Sequence, residues 1–391
     1  MQETEFPLMQ FMRDGMDPVA ELGRIRDEHP VYPLRMPDGS TLWLVTRYDD
    51  VRAVLGDADG FSNDFGNVTA AGSNQEDPGG LGFRDPPEHT RLRRLLTPEF
   101  TMRRLRRLEP RIEAIVAEYL DVMEKSGSPA DLVSSFALPI PSLVVCELLG
   151  VPYAERADFL RLSADRFDLS AGPEASLRAV NDAMAYLTEL VARQRRDPGE
   201  GLLGMLLREH GDEIADRELA SLADGMLVGG HDTSTSMLAL GTLWLLRHPG
   251  HRELVRAGGD RAAEVVEELL RYLTVVQVAF PRFARKDLVL AGQPIAKGEM
   301  VLCSLIGANR DPALGPDIDT VVPGRAAPSH LAFGHGIHRC VGAPLAQMEM
   351  RIAFPALLRR FPNLRLAVPE EEIPFRKISI VYGVDSLPVA W

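Results

Sequence analysis

Phe333-Gly-His-Gly-Ile-His-Arg-Cys-Val-Gly342 is a glycine-punctuated loop with a single cysteine, and it runs into an apolar helical pattern from Ala343 to Phe354. Gly334, Gly336 and Gly342 remove side chains where something bulky can approach the backbone. Pro344 suits the first turn of the helix that follows. Cys340 therefore lies just ahead of a helix N-terminus, where unpaired N–H groups and the dipole favour an anion. The placement predicts a thiol with a lowered pKa. A thiolate is a soft ligand, suited to iron, copper or zinc.

Three readings compete for this loop. A lone cysteine is most often a small buried hydrophobe. A zinc site would use His335, His338 and Cys340, but a structural zinc wants four ligands, and Cys146 and Cys303 are far away in sequence. The third reading is an axial thiolate to haem, with the glycines clearing room for the macrocycle. The loop alone does not choose among them.

The chain has 391 residues, 45% of them hydrophobic and 25% charged, as in ordinary soluble globular proteins. A net charge of −13 argues against a general nucleic-acid binder, which needs a basic footprint. Three cysteines are too few for a disulfide framework and fit a reducing compartment. Met1 to Asp17 has no apolar signal core, and no span is long enough to cross a membrane. The expectation is a cytoplasmic protein.

Working outward, Thr41 to Thr46 reads as a strand and Asp49 to Leu55 as a short helix. Phe61 to Phe83 is long and rich in Gly, Ser, Asn and Asp, so it reads as a substrate lid or as disorder. His89 and Arg93 are four apart on a helical pattern and share a face, which suits a pair of carboxylates or simply a solvated surface. Eight arginines fall between Arg91 and Arg111, a local patch able to steer an acidic partner. Helical patterns follow at Glu109 to Lys125, Leu132 to Leu149, Arg156 to Phe167 and Ala175 to Gln194.

Arg217 to Leu246 is the longest helical pattern and is apolar on nearly all sides, as in a buried central helix. Its middle, Leu227 to Ser236, carries two glycines and a run of hydroxyls, which predicts a helix that opens locally beside a ligand. Asp232-Thr233 then places an acid and an alcohol in the interior, as a proton relay or as a satisfied polar pair. Glu268 and Arg271 share a helix face and can pair. Thr274 to Phe280 is β-rich, two hairpin-like segments follow (Leu288 to Ile295, Glu299 to Leu305), and an irregular stretch from Asn309 leads into the cysteine loop. Arg365 to Val368 and Ile378 to Val381 read as short strands.

These pieces, in this order, resemble the cytochrome P450 family of haem-thiolate enzymes. The family signature Phe-Gly-x-Gly-x-His-x-Cys-x-Gly is matched in full by Phe333 to Gly342. Glu268-Leu-Leu-Arg271 matches the family's Glu-x-x-Arg, Gly229-Gly-His-Asp-Thr233 its oxygen-activating helix, and His89-Thr-Arg-Leu-Arg93 the propionate-binding helix of bacterial members. The match covers nearly the whole chain. Where the family often has Phe-Asp ahead of the Pro-Gly before its meander arginine, this chain has Val321-Val322 before Pro323-Gly324-Arg325.

The resemblance implies roles residue by residue. Cys340 is the expected iron ligand; His89, Arg93, Arg282 and His338 hold the propionates of haem b; Asp232 and Thr233 deliver protons to dioxygen. Glu268 and Arg271, with Arg325, brace the meander. Val228, Gly229 and Val276 are expected to contact substrate, with the 61–83 loop, the 163–192 region and the neighbourhood of Ile380. The implied fold is mainly α with a small β region, a single domain over 1–391 shaped as a triangular prism, with haem between the central helix and the cysteine-loop helix.

The implied activity is a soluble bacterial-type monooxygenase that hydroxylates or epoxidises a moderately hydrophobic secondary metabolite, such as a polyketide. Electrons come from NAD(P)H through a separate reductase and an acidic ferredoxin docked on the Arg91 to Arg107 patch. The alternatives are a peroxide-driven or radical-coupling haem-thiolate enzyme and a non-catalytic haem sensor; the intact Asp232-Thr233 pair counts against the peroxide and sensor versions.

Overall fold

The longest apolar pattern folds as the longest helix, and the site is built around it. The computed structural model describes residues 9–36, 39–64, 66, 80–157, 159, 173–326 and 329–391. The helices that position the site are α1 (Glu88–Leu96), α2 (Pro139–Leu149), α3 (Asp216–Arg247), α4 (Gly259–Leu273) and α5 (Ala343–Arg360). Most of the lid expected between Phe61 and Phe83, and part of the 163–192 region, lie outside the described residues, as does most of the helix expected from Arg156 to Phe167.

From Ser234 to Leu245 every residue of α3 is buried, so this half packs on all sides. α5 crosses it closely. A Cβ on Gly241 would come within 2.5 Å of the Phe354 ring, so the glycine sets the approach of the two helices. α2 also lies against α3, and its Val145 side chain is 3.0 Å from where a Cβ on Gly230 would be.

α3 runs unbroken from Asp216 to Arg247, contrary to the local opening expected at Leu227 to Ser236. The hydroxyls satisfy the helix instead of displacing it. Thr233 Oγ1 donates to Gly229 O at 2.7 Å, Thr235 Oγ1 to His231 O at 2.8 Å and Thr242 Oγ1 to Leu238 O at 2.7 Å.

The main sheet holds β1 (Val31–Arg35), β2 (Thr41–Val45), β3 (Phe61–Ser62), β4 (Arg282–Ala284) and β5 (Met300–Cys303), in the order β1-β2-β5-β4-β3. β5 pairs parallel to β2, with Val301 opposite Trp43, and antiparallel to β4. β2 is an interior strand, buried from Leu42 to Val45, which is why it reads as a continuous apolar run. A separate hairpin joins Leu288–Leu290 to Gln293–Ile295.

Two expected strands shrink. Thr274 to Phe280 and Ile378 to Val381 make only isolated bridges, Val276 to Val381 and Val278 to Ser304. Thr274 ends α4 in the left-handed region at φ 37° and turns the chain. The segment then crosses from the C-terminal loop (Gln277 N to Ile380 O, 3.0 Å) to the sheet (Ala279 N to Cys303 O, 3.0 Å) and runs alongside neither. Helices that escaped the periodicity reading include Leu202–His210 and Pro249–Ala257.

The irregular stretch that leads into the cysteine loop is fastened by a buried ionic knot. Arg271 donates to both oxygens of Glu268 (2.7 and 3.0 Å) and to the carbonyls of Asn309, Ile318 and Thr320. Arg325 Nε reaches Glu268 at 3.1 Å, and its other nitrogens take the carbonyls of Pro316, Asp317 and Thr320. Val322 contributes its backbone N–H to Glu268 at 2.9 Å, so the departure from the family pattern at Val321-Val322 leaves the knot intact. Backbone contacts do this work, and they do not depend on side-chain identity.

Candidate functional site

The loop from Leu331 to Gly342 is closed by its own backbone. Gly334 N donates to Leu331 O at 2.8 Å, Arg339 N to Gly336 O at 3.1 Å and Cys340 N to Phe333 O at 2.9 Å. Gly336 sits at φ 70°, and a Cβ there would lie 2.3 Å from Leu55 O. This glycine therefore admits the Tyr48–Gly56 helix of the protein itself, not a ligand. Gly334 has the same φ, but a Cβ there would meet nothing within 4 Å.

Cys340 is an exposed residue, yet protein surrounds its thiol at depth. Burial pushes its pKa up; the N–H groups of Gly342 and Ala343 and the charges of Arg93 and Arg339 oppose this without cancelling it. The lowered pKa expected from the helix N-terminus is thus corrected, because desolvation outweighs the dipole. Cys146 and Cys303 are fully enclosed, and burial pushes both to about 12, which makes them inert core thiols. No group of three metal-ligating side chains that could hold an ion exists among the described residues, so the zinc reading of His335, His338 and Cys340 has no geometry behind it.

Beside the thiol, basic groups converge. α1 brings His89 and Arg93 on one face, as their spacing requires; β4 brings Arg282 and the loop brings His338. The His89 and His338 rings lie 4.2 Å apart. Nδ1 and Nε2 of His89 and Nδ1 of His338 are buried without a hydrogen-bond partner. Burial, then Arg93 and Arg282, lower His89; burial, then His89 and the arginines, push His338 to about 3. Burial also lowers Arg93 and Arg282. The nearby Asp85 is taken by Arg285 at 2.5 Å. Buried donors normally have partners. Four basic side chains facing one another without an acid suit a ligand that carries carboxylates.

The middle of α3 leaves a face uncovered. Gly225 and Gly229 are exposed, and Met226, Val228, Gly230, Asp232 and Thr233 are partly so, just ahead of the fully buried stretch from Ser234. A Cβ on Gly229 would meet nothing within 4 Å. Of the expected substrate contacts, Val228 and Gly229 belong to this face, and Val276 is half-buried in the bridge to Val381. Phe280 is exposed and packs edge-on against Phe83, with ring centroids 4.8 Å apart.

Asp232 and Thr233 take different partners. Asp232 is bound by Arg376, whose Nη1 lies 3.1 and 3.0 Å from its two oxygens. The neighbouring polar groups fan out around the helix. His231 Nδ1 meets Ser142 Oγ of α2 at 2.8 Å, and the Ser234 hydroxyl bonds to Glu349 of α5. Burial pushes Glu349 up to about 8, against the Ser234 bond, and its Oε2 has no partner. Sequence reading missed Arg376, Glu349 and Ser142. Glu349 did leave a signal, a carboxylate between Met348 and Met350 in an apolar run; Arg376, 144 residues from its partner, left none.

The arginine run is less open than its sequence suggests. Arg91 pairs with Glu218, Arg94 with Glu213, Arg104 and Arg107 with the buried Glu99, and Arg111 with Glu147. Arg93 turns inward to the basic cluster. Arg103 and Arg106 remain exposed. No helix among the described residues is long and apolar enough to cross a membrane.

Comparison with known proteins places this architecture. The family model "Cytochrome P450" matches residues 7–381. Cytochrome P450 165B3 of Amycolatopsis orientalis is 42% identical, over 100% of both chains. Mycinamicin IV hydroxylase/epoxidase of Micromonospora griseorubida is 39% identical, over 96% of each. Among solved structures, P450 StaH from glycopeptide antibiotic A47934 biosynthesis superposes with a TM-score of 0.90 at 44% identity, covering 98% of this chain and 100% of its own. OxyC, a cytochrome P450 implicated in an oxidative C–C coupling reaction during vancomycin biosynthesis, gives 0.89 at 42% identity, covering 97% and 96%. Members of the family use haem b and dioxygen, with electrons from NAD(P)H through redox partners. The chain belongs to the cytochrome P450 family of oxidoreductases.

Proposed function

We propose that this protein is a haem-thiolate monooxygenase of secondary metabolism in which Cys340 ligates the iron and His89, Arg93, Arg282 and His338 hold the haem propionates. One observation carries the reading: four basic side chains without acid partners, His89 and Arg282 buried and Arg93 and His338 half-buried, converge beside the Cys340 thiol. Bound haem supplies activation of dioxygen, and its thiolate ligand favours O–O cleavage. The protein does the rest. Gly229 leaves space on α3. Thr233 Oγ1, whose own proton is held by Gly229 O, keeps its lone pairs free to accept a hydrogen bond beside that space, and Asp232 with Thr233 would pass solvent protons toward it. Val228, Val276 and Phe280 offer partly exposed apolar surface to orient a moderately hydrophobic substrate, of which a polyketide is one class.

Electrons reach the site from a separate ferredoxin and reductase in the cytoplasm, with the ferredoxin docking at Arg103 and Arg106. Oxygen insertion is tested by running the reaction under ¹⁸O₂. The reading expects product that has gained one ¹⁸O atom. Product that has lost two hydrogens and gained no oxygen would replace it with oxidative coupling. That second reading has one observation behind it, the capture of Asp232 by Arg376, alongside likeness to the coupling enzyme OxyC.

A further inference from the structure

The C-terminal segment 375–384 crosses α3 at its polar stretch and is fastened on both sides. Arg376 N donates to Gly383 O at 3.0 Å, Tyr382 N to Val275 O at 2.7 Å and Gln277 Nε2 to Ser379 O at 2.6 Å. A Cβ on Gly383 would fall 2.6 Å from Ser236 Oγ, so the segment lies directly on the helix. Arg376 is the one cation it aims at α3. Besides Asp232, Nη1 reaches Val381 O at 3.2 Å, and Nε lies 3.4 Å from Asp385. Ile378 and Ile380 of the same segment are 56% and 59% exposed.

Adjacent helical residues point about 100° apart. Asp232 therefore cannot keep both oxygens on Arg376 Nη1 and also hand a proton to Thr233. We propose that Arg376 is a positioning residue for Asp232: it holds the carboxylate on the C-terminal segment, away from the Thr233 hydroxyl, so that proton delivery depends on where that segment sits. Each side chain of the pair is about one-quarter exposed, and such a pair is weak enough to exchange partners. A ligand packed on Ile378 or Ile380 touches the same segment, and its contacts bias the position of the acid. The inference rests on the proposed relay role of Asp232 and Thr233.

The test uses the holoenzyme and its variants Arg376→Gln, Arg376→Lys, Asp232→Asn and the Gln/Asn double. The first readout is backbone hydrogen exchange of 375–384, which reads the pair whether or not the relay operates. Arg376→Gln and Asp232→Asn should each speed exchange several-fold, and the double should add nothing further. The second readout is reoxidation of dithionite-reduced protein in air-saturated buffer without substrate, in H₂O and in D₂O. Arg376→Gln should reoxidise several-fold faster with a larger solvent isotope effect. Arg376→Lys should stay near wild type, and Asp232→Asn should cancel the acceleration. Unchanged exchange in Asp232→Asn overturns the inference, as does acceleration by Arg376→Gln that persists in the double variant. Wild-type protein without a thiolate-haem band would instead overturn the haem assignment, and the exchange coupling would still decide the pair.

Discussion

Replacing Glu268 by Gln leaves two buried guanidinium groups facing each other without their counter-charge. Side-chain exposure is 3% for Arg271 and 8% for both Glu268 and Arg325, so water cannot step in. Glu268 accepts from Arg271 twice, from Arg325 and from Val322 N. Removing one member of a buried ionic set costs about 3–5 kcal/mol. An unfolding entropy of about 2.1 cal/mol/K per residue over 391 residues is about 0.8 kcal/mol/K, so the melting temperature should fall by roughly 4–6 °C. The assay is thermal unfolding followed by circular dichroism, with Glu253→Gln, which loses only an exposed pair with Arg256, as the control that should barely move. A fall of less than about 1 °C in Glu268→Gln would show that the knot does not carry the meander. Burial alone would raise the Glu268 carboxyl, but Arg271, Val322 N and Arg325 hold it below the usual range. A depressed carboxylate adds stability above its unfolded pKa. Wild type should therefore lose that stability as pH falls below the ordinary carboxylate range, and Glu268→Gln should lose less.

Thr233→Ala should leave haem binding intact and lower product formed per reductant, by up to about 100-fold if a general-acid path is lost; unchanged coupling would remove Thr233 from the relay. His338→Ala removes one buried donor from the basic cluster, and a hydrogen bond to a charged group is worth about 1.5–3 kcal/mol, so haem affinity should fall roughly ten- to a hundredfold in a competition assay with apomyoglobin. Unchanged retention would detach the cluster from the cofactor. Glu349 is protonated in the fold up to about pH 8, so its stabilisation is complete below the ordinary glutamate range and is lost as pH rises toward 8. Glu349→Gln should flatten that decline, and urea midpoints from pH 5 to 8 that still run parallel to wild type would refute it.

The central helix, β2, the cysteine loop and the Glu268–Arg271 pair were legible because each is written in local spacing. So was the His89–Arg93 face, since a four-residue interval fixes it before any tertiary contact forms. Three kinds of fact were not. The capture of Asp232 by Arg376 joins positions that only the fold brings together. The outcome of the competition at Cys340 depends on depth, which spacing does not report: the helix N-terminus is where the pattern puts it, yet burial prevails. The arginine run was read as open because its carboxylate partners lie far off in sequence, Glu218 and Glu147 on other helices and Glu213 in a turn. The hydroxyls of α3 were read as a break, whereas Thr233 and Thr235 bond back to carbonyls four residues earlier and keep the helix whole.

The central claim is that Cys340 is a thiolate ligand to haem iron. The measurement that tests it most directly is the absorption spectrum of the reduced protein with carbon monoxide, taken for wild type and for Cys340→Ala. The account predicts a strongly red-shifted Soret band in wild type and its absence in the variant. A band at the position of histidine-ligated haem in wild type, or a red-shifted band that survives Cys340→Ala, would contradict it.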